Sequence, residues 1–337
     1  MALRWGIVGS GRIANDFTCA VQIHPEKNHK VIAVAARKLS DAQGFAKRHN
    51  IPNAYGSYED LAKDKDIDIA YIGVLNPGHL PVSKMMLDHG KHVLCEKPLA
   101  INKKETEELI AHAKVKGLFL MEGLWSRTFP IYDILTDQIA NNTIGDVLQV
   151  NVEFGYPLAG VDYANVKEEA QCATMNIGIY ALQFSQYVYR GLKPISVTVS
   201  GHLNKYGVDD ATTIILMYPN GRTSVLTVNT RVQLENCATV YGTKGMLKIP
   251  LFWCPSTMIT PSGTIECELP TSTANFTLLR SNGLAYEAEE VRKCLELGLT
   301  ESPKMTHAES LELAELMNTV RQSLGVTFKQ DGYSMDY

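Results

Sequence analysis

The sequence predicts an α/β protein in two parts: a doubly wound parallel sheet over residues 1–124, and over residues 125–337 a second α/β domain with a large open, mostly antiparallel sheet. Three observations predict it. Short apolar runs alternate with helical periodicity through the first third of the chain, and strands joined by right-handed helical crossovers form a parallel sheet covered on both faces. A glycine-rich turn, Gly9-Ser10-Gly11, stands directly between the first strand and the first helix. Beyond Trp125, β-rich runs follow one another across Pro219-Asn220-Gly221 and Gly242-Thr243-Lys244-Gly245, which is the rhythm of antiparallel pairing.

In chain order, LRWGIV at 3–8 gives the first strand, followed by a helix over 13–23, a strand at 31–35, a helix over 41–49 and a short strand at 54–55. After the segment 58–62 come a strand at 69–74, a helix over 80–89, a strand at 93–95, the amphipathic helix 103–116 and a strand at 118–121. The second part opens on a helix over 131–140 and passes through Asn142-Thr143-Ile144-Gly145-Asp146 into a strand at 147–154. An irregular stretch carrying Tyr156 and Tyr163 leads to a helix over 177–189. Strands are expected at 196–202, 212–218, 223–231, 237–241 and 246–249, and two last helices at 284–297 and 307–324 are free to pack on either domain. With 337 residues, each part can bury its own core.

Composition narrows the function classes. With 45% hydrophobic and 20% charged residues, a net charge of −4 and no basic stripe or tail, no nucleic-acid partner is expected. The seven cysteines, 19, 95, 172, 237, 254, 267 and 294, are scattered singly, which speaks against a disulfide framework and a zinc site and for a reducing compartment. No apolar leader precedes the first strand, and no run approaches the roughly 18 apolar residues of a membrane span. The expectation is a cytoplasmic protein with no membrane partner and no metal.

Gly9-Ser10-Gly11-Arg12-Ile13-Ala14 fits G-x-G-x-x-A between a strand and a helix, the Rossmann signature. Gly9 permits the tight turn, Gly11 lets backbone approach a pyrophosphate, and Ala14 allows helix to pack closely on strand. The helix N-terminus then offers its unpaired amides to the phosphates. The end of the second strand selects the nucleotide. An NAD site places a carboxylate there for the ribose diol, whereas this chain reads Ala35-Ala36-Arg37-Lys38. Arg37 would grip a 2′-phosphate with a charge-assisted fork, so NADP is expected; the competing reading makes Arg37 and Lys38 an ordinary solvated loop.

Cys95-Glu96-Lys97-Pro98 follows an apolar strand, so Lys97 should emerge at a carboxyl end of the parallel sheet, where the ligand crevice of such folds lies. There its ammonium can hold a substrate oxygen. Taken in order, Gly9-x-Gly11-x-x-Ala14, Asn76-Pro77-Gly78-His79, Glu96-Lys97-Pro98, Ile144-Gly145-Asp146, Gly178-Ile179-Tyr180 and Gly242-Thr243-Lys244-Gly245 resemble the glucose–fructose oxidoreductase and inositol dehydrogenase family. Stretches such as MALRWGIV, AYGSYEDLA, VLCEKPLA and GVDD are most similar to its dimeric branch, and the resemblance covers nearly the whole chain.

That resemblance implies NAD(P)-linked oxidation of hydroxyl groups on sugars such as D-xylose, on cyclitols or, in the dimeric branch, on aromatic trans-dihydrodiols. It implies a homodimer through the open sheet of the second domain. By position, Gly9, Gly11, Arg12, Ile13 and Ala14 would serve the pyrophosphate, and Arg37 the adenosine phosphate. Asn76, His79, Glu96 and Lys97 would lie towards the nicotinamide half. Lys97 and Tyr180 would serve the reacting hydroxyl, since an ammonium near a phenol favours the phenolate and eases proton exchange. Trp125, Phe154 and Trp253 would line an apolar substrate site.

One helix departs from the family pattern. The Tyr180 helix is normally preceded by a glycine run and an aspartate; here Gln171-Cys172 replace the glycines and Asn176 stands in place of the acid. Asparagine keeps the shape but brings no negative charge. Two readings follow: an NADP-dependent dehydrogenase of altered or reduced activity on a diol, sugar or dicarbonyl, and a non-catalytic NADP(H)-binding protein serving as a sensor or an abundant structural protein.

Overall fold

The computed structural model describes residues 2–158 and 166–332. Its first sheet contains β1 (Leu3–Val8), β2 (His29–Ala35), β3 (Asn53–Tyr55), β4 (Ile69–Ile72), β5 (His92–Glu96) and β6 (Leu120–Gly123), all pairs parallel, in the order β3-β2-β1-β4-β5-β6. The order runs outward in both directions from β1 and β4, which makes their carboxyl ends the topological switch point where a doubly wound sheet binds its ligand. Strands such as Ile69-Ala70-Tyr71-Ile72, buried at every position, are apolar throughout because both faces are covered. The crossovers are α1 (Arg12–Val21), α2 (Leu39–His49), α3 (Tyr58–Lys63), α4 (His79–Asp88) and α5 (Lys103–Lys116).

The second sheet follows α6 (Pro130–Ala140). It contains β7 (Val147–Gly155), then, after α7 (Ile179–Val188), β8 (Ser196–Leu203), β9 (Asp209–Tyr218), β10 (Arg222–Asn229), β11 (Cys237–Gly242), β12 (Gly245–Pro250), β13 (Thr257–Thr260) and β14 (Gly263–Glu266). The order is β14-β13-β12-β11-β7-β10-β9-β8, antiparallel except where β7 meets β10. Register separates the faces. Ile214, Leu226, Val152, Ala238 and Ile249 form one buried row, on the face that packs against α7. The neighbouring row, Thr198, Ile215, Val225, Asn151, Thr239, Lys248 and Ile259, points the other way, where Ile215, Met217, Tyr241, Met246 and Ile259 are exposed.

Within the described residues the chain forms two compact units. The first takes the chain up to Ala100 together with Lys104–Thr128 and Glu268–Ser310, which includes α8 (Leu284–Glu296). The second takes Ile101–Lys103, Phe129–Cys267 and the chain from Leu311, which includes most of α9 (His307–Ser323). No helix of the described residues is long and apolar enough to cross a membrane.

Several local expectations change. The strand expected to reach 74 stops at Ile72, because Gly73 donates to the Val8 carbonyl (2.9 Å) and Pro77 starts a 3-10 turn over Asn76–Gly78. The strand expected at 118–121 lies at Leu120–Gly123, since Leu118 still closes α5 through the Ala113 carbonyl (3.2 Å). The segment 58–62 forms α3, capped by the Ser57 hydroxyl accepting the Asp60 amide (3.1 Å). The helix expected from 177 begins earlier, as a π-turn over Thr174–Gly178. The β13–β14 hairpin, turned at Pro261-Ser262-Gly263, was not anticipated; its strands have only four residues each and carry little apolar alternation.

Candidate active site

The turn expected to hold the pyrophosphate is built by backbone. Gly9 has φ +108°, and a Cβ there would lie 2.5 Å from the Gly73 carbonyl oxygen, so no other residue fits. A Cβ on Gly11 would meet nothing within 4 Å, so the space beside it is open to a ligand. Helix α1 starts at Arg12 with no side-chain cap hydrogen bond among the described residues, and the partial positive charge of its N-terminus suits an anion. Arg12 is exposed, Ile13 half-buried, and buried Ala14 packs where a Cβ on Gly73 would already come within 3.5 Å. Arg37 is exposed just beyond β2. These residues fit a dinucleotide pyrophosphate with a further anionic group beyond the second strand.

At the β5 end, Lys97 is half-buried between carboxyl groups, and its bond to Pro98 is cis. Burial pushes the Lys97 pKa down while Glu96 and Glu122 push it back up. Glu96 accepts the Tyr71 hydroxyl at 2.5 Å. Glu122, opposite Cys95 on β6, accepts the Leu99 amide at 3.0 Å and so pins the turn after Lys97. Burial raises the pKa of both carboxyls. Glu287 on α8 is fully buried, and among the described residues neither of its carboxyl oxygens has a hydrogen-bond partner. Burial first, and then the charge of Glu96, hold its pKa well above the usual range.

His79, expected towards the nicotinamide half of the cofactor, is buried. Its Nδ1 lies 2.7 Å from the Pro98 carbonyl and its Nε2 3.1 Å from the Val74 carbonyl; the neutral ring has one N–H to donate, and the shorter distance places it on Nδ1, tying the ring to the turn after Lys97. Burial lowers its pKa against both carbonyls. Asn76, also buried, opens the 3-10 turn that leads into α4. Trp125, in the same compact unit, begins the 3-10 turn Trp125–Thr128 and is buried.

The second unit gathers aromatic rings around Tyr180. Phe154 meets Tyr180 edge-on at 5.9 Å and stacks on Trp253 at 4.3 Å, and Phe252 closes the group at 5.5 Å from Phe154. Of the tyrosines expected after Phe154, Tyr156 is exposed and Tyr163 lies outside the described residues. Asn176 is half-buried in the π-turn, one turn before Tyr180. That turn is fastened by Asp209 of the Gly-Val-Asp-Asp motif, whose Oδ2 accepts the Thr174 amide (2.8 Å), the Thr174 hydroxyl (2.8 Å) and the Thr212 hydroxyl (3.2 Å). Gln171 and Cys172 are buried, and burial with the neighbouring Asp209 charge keeps Cys172 a thiol.

Sequence reasoning missed Glu122, Glu287, Asp209 and Phe252. Two left a trace: Glu122 interrupts an otherwise apolar strand, and Glu287 shares the apolar spacing of Leu284, Ala288 and Val291 on α8. A further cluster, His24, His29 and Glu289, brings three ligand atoms within 4.8 Å of one another. The Trp5 indole donates to His29 Nδ1 at 3.2 Å, which places the proton of the neutral ring on Nε2, facing Glu289 at 3.1 Å. With one nitrogen facing a donor and the other carrying the proton, His29 offers no lone pair for a metal; Trp5, His29 and Glu289 form a hydrogen-bond chain, and His24 Nε2 lies 2.8 Å from the Ala285 carbonyl instead.

Two family profiles match the chain: an oxidoreductase family with an NAD-binding Rossmann fold over residues 3–124, and a GFO/IDH/MocA C-terminal domain over 132–248. Trans-1,2-dihydrobenzene-1,2-diol dehydrogenase of Sus scrofa is 44% identical over 98% of this chain and 99% of its own length. Among solved structures, a 3-ketoreductase from Actinomadura kijaniata in complex with NADP and TDP-benzene superposes with a TM-score of 0.81 at 22% identity, over 96% of this chain and 98% of that one. An aldose–aldose oxidoreductase from Caulobacter crescentus gives 0.82 at 21% identity, over 99% of each chain.

Proposed function

The chain belongs to the GFO/IDH/MocA oxidoreductase family, and on that premise we propose that it transfers a hydride between NADP(H) and the hydroxyl or carbonyl carbon of a trans-dihydrodiol, sugar or dicarbonyl. The observation that carries this reading is the open Gly9–Gly11 cradle with Arg37 beyond one strand end and Lys97 beyond another of the same parallel sheet. NADP supplies the hydride acceptor, or in its reduced form the donor. Arg37 binds the 2′-phosphate. Lys97, whose ammonium Glu96 and Glu122 favour against burial, holds the substrate oxygen, and Tyr180 exchanges its proton. Phe154, Trp253 and Trp125 present apolar rings to the substrate. Asn76, Glu96 and the backbone around Arg12 and Ile13 complete the cofactor contacts, while His79 acts through the turn after Lys97.

The exposed apolar row of the second sheet, with Ile215, Met217, Tyr241 and Met246, is assigned to a homodimer contact. A second reading, an NADP(H)-binding protein without turnover, is favoured by Asn176 in place of an acid and by buried Gln171 and Cys172 in place of glycines. A steady-state screen separates them. NADPH consumption with dicarbonyls and NADP reduction with diols and aldoses should give turnover for at least one class. Tight NADPH binding with none would leave the second reading.

A further inference from the structure

Asp16 lies on the second turn of α1, fully buried, and its carboxylate accepts four hydrogen bonds. Oδ1 takes the Thr277 amide (2.8 Å), the Thr277 hydroxyl (2.9 Å) and the Asn15 side-chain amide (3.0 Å); Oδ2 takes the Leu278 amide (2.8 Å). Around this knot the Thr277 hydroxyl also reaches the Arg12 carbonyl and the Asn15 amide reaches the Asn275 carbonyl, both at 3.5 Å. Residues 275–278 are thereby fastened against the first turns of α1, the helix end proposed to face the pyrophosphate. The segment from 268 to 280 forms no helix or strand and is exposed over 271–275. Its other end is held by the Asn282 amide on the Pro270 carbonyl (2.7 Å) and the Tyr286 hydroxyl on the Glu268 carbonyl (2.8 Å).

A carboxylate buried at this depth is stabilised only by the donors it collects, and most of them come from a segment some 260 residues away in sequence. We propose that Asp16 is a positioning residue for the cofactor: it ties the 271–278 strap beside the phosphate cradle, where the strap forms the cradle's outer wall and retains the pyrophosphate. The inference rests on the NADP reading of this site.

Asp16→Asn is the direct test, because whichever way the new amide turns, its NH2 group faces a backbone N–H and one anchor is lost. Thr277→Val, which removes only the hydroxyl donor, is the milder companion. NADPH, which spans the pyrophosphate, should bind Asp16→Asn about tenfold more weakly, and Thr277→Val by a smaller factor. The fragment 2′,5′-ADP, which lacks the pyrophosphate bridge, should bind all three proteins alike. In parallel, NADP should protect the strap from limited proteolysis in the parent and much less in Asp16→Asn. Equal losses for NADPH and 2′,5′-ADP would mean a general loss of structure and would overturn the proposal, as would unchanged NADPH affinity. A parent protein that binds neither ligand would instead remove the NADP reading, and this inference with it.

Discussion

Replacing Glu287 by glutamine should stabilise the protein by an amount that grows with pH. In the fold this carboxyl is fully buried, has no hydrogen-bond partner among the described residues, and feels the charge of Glu96. Its pKa is therefore raised, by burial first, so between about pH 4.3 and that raised value the folded chain retains a proton the unfolded chain has released. Stability from this group is complete below the unfolded pKa and is lost as pH rises, at up to about 1.4 kcal/mol per pH unit. Glutamine fills the same space without titrating. Between pH 5.0 and 7.5 the variant should gain up to about 3.4 kcal/mol relative to the parent. Glu287→Met, which also removes the buried polar group, should add a pH-independent gain of about 1–3 kcal/mol. Urea unfolding of the three proteins at both pH values reads this directly. A glutamine variant that is less stable at pH 7.5 than at pH 5.0, relative to the parent, would mean that Glu287 is ionised in the fold and has a partner, and the reasoning would be wrong.

Lys97→Met and Tyr180→Phe should each lower kcat/KM by roughly a hundredfold, and the double variant by much less than the product, because both serve one proton and one oxygen; multiplicative losses would show that they act separately. Asn176→Asp should raise kcat on any accepted substrate while NADPH affinity holds, by adding a carboxylate one helical turn before Tyr180. No gain, even with Gln171 and Cys172 returned to glycine, would favour the reading without turnover. Ile215→Asp, on the open face of the second sheet, should convert a homodimer into a species of 37.3 kDa in sedimentation equilibrium; a parent that is already monomeric would overturn the dimer.

The first sheet was legible because its signals are local. Apolar runs such as Ile69-Ala70-Tyr71-Ile72 are bounded by turn residues, and Gly9 sits where only glycine fits, so the sequence places the cradle almost to the residue. The register of the second sheet could not be read, since the parallel meeting of β7 and β10 joins strands some seventy residues apart. Short polar strands such as β13 and β14 left no periodicity to find. In the sequence Lys97 stands out by its place after an apolar strand, and Asn176 and Tyr180 only through the family resemblance; of the two carboxyls that act on Lys97, Glu96 is its neighbour on β5 and Glu122 comes from another strand and was hidden. Glu122 enters through the pairing of β5 with β6. From sequence Lys97 looked unbalanced, whereas in the fold the charges of Glu96 and Glu122 act on it against burial.

The account turns on a cofactor held by backbone at Gly9 and Gly11 and selected by Arg37, and titration of nicotinamide fluorescence with NADPH and NADH tests it most directly. A charge-assisted pair between Arg37 and the 2′-phosphate contributes about 1.5–3 kcal/mol, so NADPH should bind at least tenfold more tightly than NADH, and Arg37→Ala should abolish most of that preference while leaving NADH binding in place. Equal affinities in the parent protein, or a preference that survives Arg37→Ala, would contradict it.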